Sequence, residues 1–368
     1  MRGYSPLVLE GHNFFLNWKP EILHFITGGE DKLTPNEVLD LFGSKGDVAY
    51  KAEDLFHSKE QDVKVGAWKQ EGVHNLTVGY TTYQDKDLLQ QYVYKPYRFA
   101  RIVELNCKLG GSLWSVKIPY NCSMVVGIDV YHEGVGSQGQ NVVGLVSSTN
   151  RDYTSYYSQA VIQRRGQEIT SCIAQPFKQA LDKYIQVNGV PPKQIFIYRD
   201  GVSDGQLESV SRVELDQYQQ IVDSLMKTIP SCEYAPKITA TIVQKRINTK
   251  IFQVLSPGAR PNLENPPPGT TLDHTVTRKT LKDFFLVSQH VRQGTVTPSH
   301  YIVLRNDTNA EVDHLQRLSY KLCHLYYNWP GTIRVPAVCQ YAHRVAYLTG
   351  MHLQRLPSDR LSDTLFYL

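Results

Sequence analysis

The sequence predicts an α/β fold in which helices cover both faces of a central sheet. Two observations support this prediction. Three apolar segments with short connections lie between residues 124 and 163, a pattern typical of an antiparallel meander. From residue 168 onward, helical and strand-like segments alternate, and this order places helices on both sides of a sheet.

The three strands of the meander are apolar runs separated by turn residues. Residues 124–130 form an apolar run interrupted by one glycine and one aspartate, which is typical of a buried strand. A glycine-rich turn over 134–139 leads to a second run over 141–147, and a third strand is predicted over 156–163.

Further helices and strands follow in alternation. Apolar residues near helical spacing predict a helix over 168–187, which ends at Gly189 and the prolines behind it. The remaining expected elements are strands over 194–198, 237–244, 283–289 and 299–304, helices over 206–228, 312–327 and 337–350, and a proline-rich loop over 256–273. Residues 1–95 show no sustained period, so only a short helix over 34–42 is predicted there.

The composition excludes few functions. With 41% hydrophobic and 20% charged residues among 368, the chain is ordinary for a globular protein, and its net charge of +4 is too small to indicate a nucleic-acid binder by itself. Its six cysteines form no Cys-x-x-Cys pair, so a structural zinc site is not expected. No apolar run approaches the roughly 20 residues of a membrane span. We therefore expect a reduced, intracellular protein.

Two aspartates lie where apolar strands end. Asp129 stands near the end of the first predicted strand, and Asp200 follows the strand over 194–198. A carboxylate in a buried strand is costly unless it is paired or bound to a metal. Either aspartate alone is equally well explained as a turn residue or a helix cap. Together, at the edge where open α/β sheets bind ligands, they indicate a site for a divalent cation such as Mg²⁺.

Seven segments, in order along the chain, resemble the signature segments of the PIWI domain of Argonaute proteins. They are residues 106–111, 125–132, 198–206, 243–246, 265–270, 320–324 and 335–343. The closing residues 361–368 resemble the end of the Piwi clade in particular. The resemblance implies a ribonuclease H-like fold with a mixed central sheet flanked by helices. It divides the chain into an unassigned region, 1–95, and a PIWI domain, 96–368.

The same resemblance implies a catalytic tetrad of Asp129, Glu168, Asp200 and His343. Asp129, Asp200 and His343 would bind two Mg²⁺ ions, with Mn²⁺ as an alternative, and Glu168 would act through water or complete the site when its loop moves. Two metal ions roughly 3.5–4 Å apart can activate a water and stabilise the leaving oxygen in phosphodiester cleavage. Taken alone, Glu168 is more simply explained as a first-turn glutamate and His343 as a core histidine.

The resemblance also implies residues that bind a guide strand. Lys108 and the C-terminal carboxylate of Leu368 would bind the guide 5′ phosphate, whereas Lys245 and Arg246 would face the nucleic-acid backbone. Outside this context, each basic pair is equally well explained as solvated surface. Residues 1–95 contain no segment that resembles the guide-binding loop of a MID domain, and no PAZ domain is found.

The expected function is therefore that of a Piwi-like endoribonuclease, guided by small piRNA-type RNAs and acting in transposon and gene silencing. The alternative is a non-cleaving PIWI module that binds RNA or protein but cannot load a guide, and a third hypothesis is a ribonuclease that needs no guide. Expected partners are a small guide RNA, a complementary target RNA and Tudor-domain proteins. The expected location is the cytoplasm, with perinuclear germ granules and the nucleus as alternatives.

Overall fold

The computed structural model describes residues 64–70, 73–79, 107–108, 111–132, 141–163, 172–229, 234–256, 262–291, 293–329 and 331–368. They belong to two compact units. The larger unit contains Lys117–Asp363 and Tyr367, and the smaller contains the described residues up to Val116 together with Thr364–Phe366 and Leu368. The helix expected over 34–42 lies outside the described residues.

Among its described residues, the smaller unit contains an antiparallel strand pair. Strands β1 (Lys64–Gln70) and β2 (Val73–Gly79) pair with Trp68 opposite Asn75.

The larger unit is built on an eight-stranded mixed sheet. Its eight strands are β3 (Ser123–Tyr131), β4 (Asn141–Ser148), β5 (Tyr156–Gln163), β6 (Gln194–Asp200), β7 (Lys237–Gln244), β10 (Thr270–Leu272), β11 (Lys282–Val287) and β12 (Ser299–Asn306), and the short strands β8 (Gln253–Ser256) and β9 (Asn262–Glu264) lie outside it. The order in the sheet is β10-β11-β12-β7-β6-β3-β4-β5, and β8 pairs with β9 separately. The three central strands β7, β6 and β3 are mutually parallel, whereas the outer pairs are antiparallel. The predicted meander corresponds to β3, β4 and β5.

Helices cover both faces of this sheet, as the alternation of elements predicts. The helices are α1 (Ala174–Asn188), α2 (Leu207–Thr228), α3 (Val312–Leu322) and α4 (Ala337–Tyr347). On one face, Phe177 of α1 and Tyr218 of α2 pack with Ile128 and Ile197 of the central strands in one buried apolar cluster. On the other face lie α3 and α4, with Ser319 of α3 in hydrogen-bond contact with the Tyr198 hydroxyl at 3.1 Å. The α/β fold with flanking helices is thus confirmed.

Three helix boundaries differ from the prediction. Helix α1 begins at Ala174 rather than at 168, because Pro176 is tolerated only in the first turn of a helix. Helix α3 ends at Leu322, and Leu325 and Tyr326 are buried in the turns that follow it. Helix α4 ends at Tyr347 and continues as a π-helical turn over Leu348–Leu353. Within the described ranges, no helix combines the length and apolar character needed to span a membrane.

Candidate active site

The two aspartates singled out in the sequence lie side by side at the carboxyl edge of the sheet. Strands β3 and β6 are parallel neighbours with Ile128 opposite Arg199, so Asp129 and Asp200 follow at the same level. Asp129 is 6% exposed and Asp200 is fully buried. A methyl group at Gly201, which has a left-handed φ of 85°, would lie 3.3 Å from Asp129 Oδ1. The Asp129 carboxylate therefore lies over the backbone that immediately follows Asp200.

His343 reaches Asp129 because two glycines allow α4 to approach the sheet closely. A Cβ atom at Gly127 would lie 2.3 Å from the carbonyl carbon and oxygen of Val338, and a Cβ atom at Gly144 would lie 2.2 Å from the carbonyl oxygen of Ala342. Residue 144 lies opposite Asp129 in the β3–β4 register. The residue after Ala342 is His343, whose Nδ1 lies 2.7 Å from Asp129 Oδ2. The packing of α4 on β3 and β4 thus joins the histidine to the aspartate.

Asp129 is held in its ionised form. Burial is the largest single effect and raises the pKa of its carboxyl group. The hydrogen bond with His343 and the positive charges of Lys245 and Arg199 together outweigh burial, so the pKa lies below its usual value. The Val130 N–H donates to Oδ1 at 2.9 Å. Both carboxylate oxygens of Asp129 therefore have partners.

Asp200 is in a different electrostatic state. Burial raises the pKa of its carboxyl group to about 6, with a further increase from the charge of Asp129 and an opposing effect from Lys245. Lys245 Nζ lies 2.7 Å from Asp200 Oδ2 as an ion pair. Apart from this contact, neither oxygen receives a hydrogen bond of good geometry from the described residues. A buried carboxylate with so few donors is costly unless a cation compensates its charge.

A second buried ion pair lies under the end of β6. Arg199 Nε lies 3.1 Å from Glu214 Oε2 of α2, with side chains 3% and 1% exposed. The Arg199 guanidinium also donates to the carbonyl oxygen of Asp200. Burial lowers the pKa of Arg199, but the charge of Glu214 more than offsets this, and the guanidinium stays charged. Arg199 therefore fixes the backbone of Asp200 from the α2 face of the sheet.

A hydrogen-bonded network fixes the end of β7, next to Lys245. His300 Nε2 lies 2.6 Å from Asp283 Oδ2, and its Nδ1 lies 3.3 Å from Gln244 Oε1. Gln244 Nε2 donates to Asp204 Oδ1 at 2.8 Å, and Arg278 pairs with the same oxygen at 2.7 Å. The residue that precedes Lys245 is therefore held from two sides.

The other predicted site residues are placed as follows. Glu168 lies outside the described residues. Arg246 is exposed, just beyond β7. In the smaller unit, Lys108 is half-buried in a helical turn, and Leu368 is half-buried with its N–H donated to Leu365 O at 3.1 Å.

The donor set of Asp129, Asp200 and His343 suits a hard divalent cation. Carboxylate oxygens are the preferred ligands of Mg²⁺, and a neutral imidazole can join them. Apart from the contact of Oδ2 with Lys245, the two oxygens of Asp200 receive no hydrogen bond of good geometry from the described residues. Among the described residues, no group of three or more His, Cys, Asp or Glu side chains is already arranged to hold a metal ion. The chemistry of the described side chains therefore suits a divalent cation. In the structure, the ammonium group of Lys245 forms an ion pair with Asp200.

The mixed sheet, with neighbouring aspartates at parallel strand ends and helices on both faces, agrees with the ribonuclease H-like fold that the resemblance to Argonaute PIWI domains implies. A model of the Piwi domain family matches residues 59–354. The chain belongs to this family. It is 48% identical over 267 residues to protein argonaute-3 of Drosophila melanogaster, covering 73% of this chain and 29% of that protein. It is 45% identical over 266 residues to Piwi-like protein 1 of Gallus gallus, covering 72% of this chain and 30% of that protein.

Solved structures agree with this assignment. The crystal structure of Drosophila Piwi matches with a TM-score of 0.62 and 30% identity, covering 77% of this chain and 37% of that one. The crystal structure of Kluyveromyces polysporus Argonaute with a guide RNA matches with a TM-score of 0.65 at 22% identity, covering 74% and 34%, and so supports the fold alone. The chain spans about three-tenths of the length of the curated relatives.

Sequence reasoning missed two features of the site. The Lys245–Asp200 ion pair was not predicted, although Lys245 lies two residues beyond Val243, the partner of Asp200 in the β6–β7 register. The Arg199–Glu214 pair was also missed. A charged residue just before Asp200 in a buried strand, with a glutamate in the following helix, was the available signal.

Proposed function

We propose that the chain is the cleaving part of a Piwi-like, small-RNA-guided endoribonuclease that acts on complementary RNA. The observation that carries this proposal is the pair of buried aspartates at adjacent parallel strand ends, with His343 bound to one of them. The membership of the Piwi domain family supports the same function.

The residues of the site have separate roles in this proposal. Asp129 and Asp200 would hold divalent cations, Mg²⁺ or Mn²⁺, which activate a water and stabilise the leaving oxygen when they are bound. His343 would donate its Nδ1–H to Asp129, and this hydrogen bond fixes the tautomer whose Nε2 carries the lone pair. Glu168 would complete the carboxylate set.

Other residues would hold the nucleic acids. Arg246 and Lys245 would lie along the backbone, and Lys108 with the carboxylate of Leu368 would bind the guide 5′ phosphate. The protein would grip phosphates and the A-form shape, while base pairing reads the sequence. Tudor-domain proteins would be further partners, and silencing of transposon transcripts the biological outcome.

The test loads the 368-residue chain with a 5′-phosphorylated guide and separates binding from cleavage. We expect retention of the guide on a filter and Mg²⁺-dependent cleavage of the complementary RNA, but not of an unrelated RNA. Retention without cleavage would overturn the proposal in favour of a non-cleaving module. Equal cleavage with and without a guide would overturn it in favour of a guide-independent ribonuclease.

A further inference from the structure

We propose that Lys245 is a built-in counter-cation of the site, which pairs with Asp200 and competes with a divalent cation for this carboxylate. The inference rests on the proposed function, because it assumes that Asp200 holds a metal ion.

The ammonium group of Lys245 is in direct contact with the carboxylate of Asp200. Lys245 Nζ lies 2.7 Å from Asp200 Oδ2, and the side chains are 30% and 1% exposed. The aspartate is thus enclosed, while the lysine side chain reaches it from a position still in contact with solvent. Lys245 also contributes to the lowered pKa of Asp129, so its charge acts on both carboxylates.

The backbone of Lys245 is held independently of this ion pair. Arg334 donates from one guanidinium nitrogen to the carbonyl oxygens of Lys245 and Pro298. On the preceding residue, Gln244 is bound to Asp204. Because these contacts fix the main chain, the ammonium can leave Asp200 by rotation of its own side chain, without movement of β7.

The charges explain why the two cations exclude each other. Arg199 is buried on the α2 face and paired with Glu214, so its charge is already compensated. The ammonium of Lys245 uses an oxygen of Asp200 as its partner. A divalent ion at the same oxygen would face a like charge within ion-pair distance, and that repulsion is strong in a buried site. Metal binding therefore requires the lysine to withdraw, and the loss of its ion pair weakens the apparent metal affinity.

The test measures Mg²⁺ binding by isothermal titration calorimetry to the full 368-residue chain at pH 8.5. Lys245→Met keeps an unbranched side chain but removes the charge. We expect its Mg²⁺ affinity to be about tenfold higher than that of the parent. In the parent, Mg²⁺ binding breaks the charge-assisted hydrogen bond between Lys245 and Asp200, whereas the variant has no such bond to lose. Lys245→Arg should bind Mg²⁺ as weakly as the parent. Thermal unfolding adds a second readout: without Mg²⁺, Lys245→Met should melt below the parent, and Mg²⁺ should stabilise it more.

Two controls locate the effect. Lys250→Met removes a lysine from the same loop that contacts Thr297 instead of a carboxylate, and its Mg²⁺ affinity should equal that of the parent. Asp200→Asn should abolish the binding in each background. An affinity of Lys245→Met within twofold of the parent, or below it, would overturn the inference while leaving the proposed function intact. Failure of both the parent and Lys245→Met to bind Mg²⁺ would overturn the proposed function itself, and the inference with it.

Discussion

Replacing Gly144 with alanine should separate His343 from Asp129. The added Cβ atom would lie 2.2 Å from the carbonyl oxygen of Ala342, whereas ordinary contact begins near 3.4 Å, so α4 or β4 must move by about 1.2 Å. His343 follows Ala342 directly. A displacement of the same size would lengthen its 2.7 Å contact with Asp129 beyond hydrogen-bond distance. We expect a loss of about 1–3 kcal/mol in the free energy of unfolding, as for other overpacked cores.

The assay pairs urea denaturation with single-turnover cleavage of guided RNA. A misplacement of about 1 Å in a catalytic group costs on the order of 100-fold in rate, and we expect a loss of this size for Gly144→Ala. Gly205→Ala is the matched control, because a Cβ atom there would meet nothing within 4 Å and its φ is not in the left-handed region. It should stay within about 0.5 kcal/mol of the parent. A Gly144→Ala variant as stable and as active as the Gly205→Ala control would refute the reasoning.

Two further predictions concern buried charges. Glu214→Ala leaves the buried Arg199 without its carboxylate partner and should lower the free energy of unfolding, measured by urea denaturation, by about 3–5 kcal/mol. The control Glu208→Ala breaks an exposed pair with Arg212 and should lower it by less than about 1 kcal/mol. Equal losses in the two variants would contradict this prediction. The raised pKa of Asp200 means that the folded protein holds this proton more tightly than the unfolded chain. Without divalent ions, the free energy of unfolding of the parent should therefore fall, relative to that of Asp200→Asn, as the pH rises from 3.8 to about 6. Urea titrations across this range check the sign, and a difference that is flat or rises with pH would show that Asp200 is not the group responsible.

The central part of the fold could be predicted from the sequence because local signals agree there. The apolar runs of β3, β4 and β6 are interrupted at most by single residues and are followed by turn residues, so the existence of all three strands was evident, although β6 extends to Asp200, two residues beyond its predicted end. The aspartates could be proposed as a site because parallel strands end at one edge of a sheet. His343 needed the family resemblance, since a single histidine on an apolar helix carries no sign of which strand it meets.

The rest depends on tertiary structure that no local pattern encodes. The ion pair of Lys245 with Asp200 follows from the order β7-β6-β3, which places the end of β7 beside Asp200. The prediction of one helix over 312–327 did not show that Leu325 and Tyr326, which are buried, lie in the turns beyond α3. The start of α1 was predicted too early because residues 168–173 continue the helical period, although Pro176 limits where the helix can begin.

The most direct test of the central claim is the rate at which the guide-loaded chain cleaves complementary RNA in Mg²⁺, compared between the parent, Asp129→Asn and His132→Ala. The exposed His132 follows β3 and adjoins the site in sequence, so its loss should leave the rate within about threefold of the parent. Asp129→Asn should lower the rate by at least roughly 1,000-fold, since the carboxylate is required to hold the metal ions. Cleavage by Asp129→Asn at the rate of the parent would contradict it.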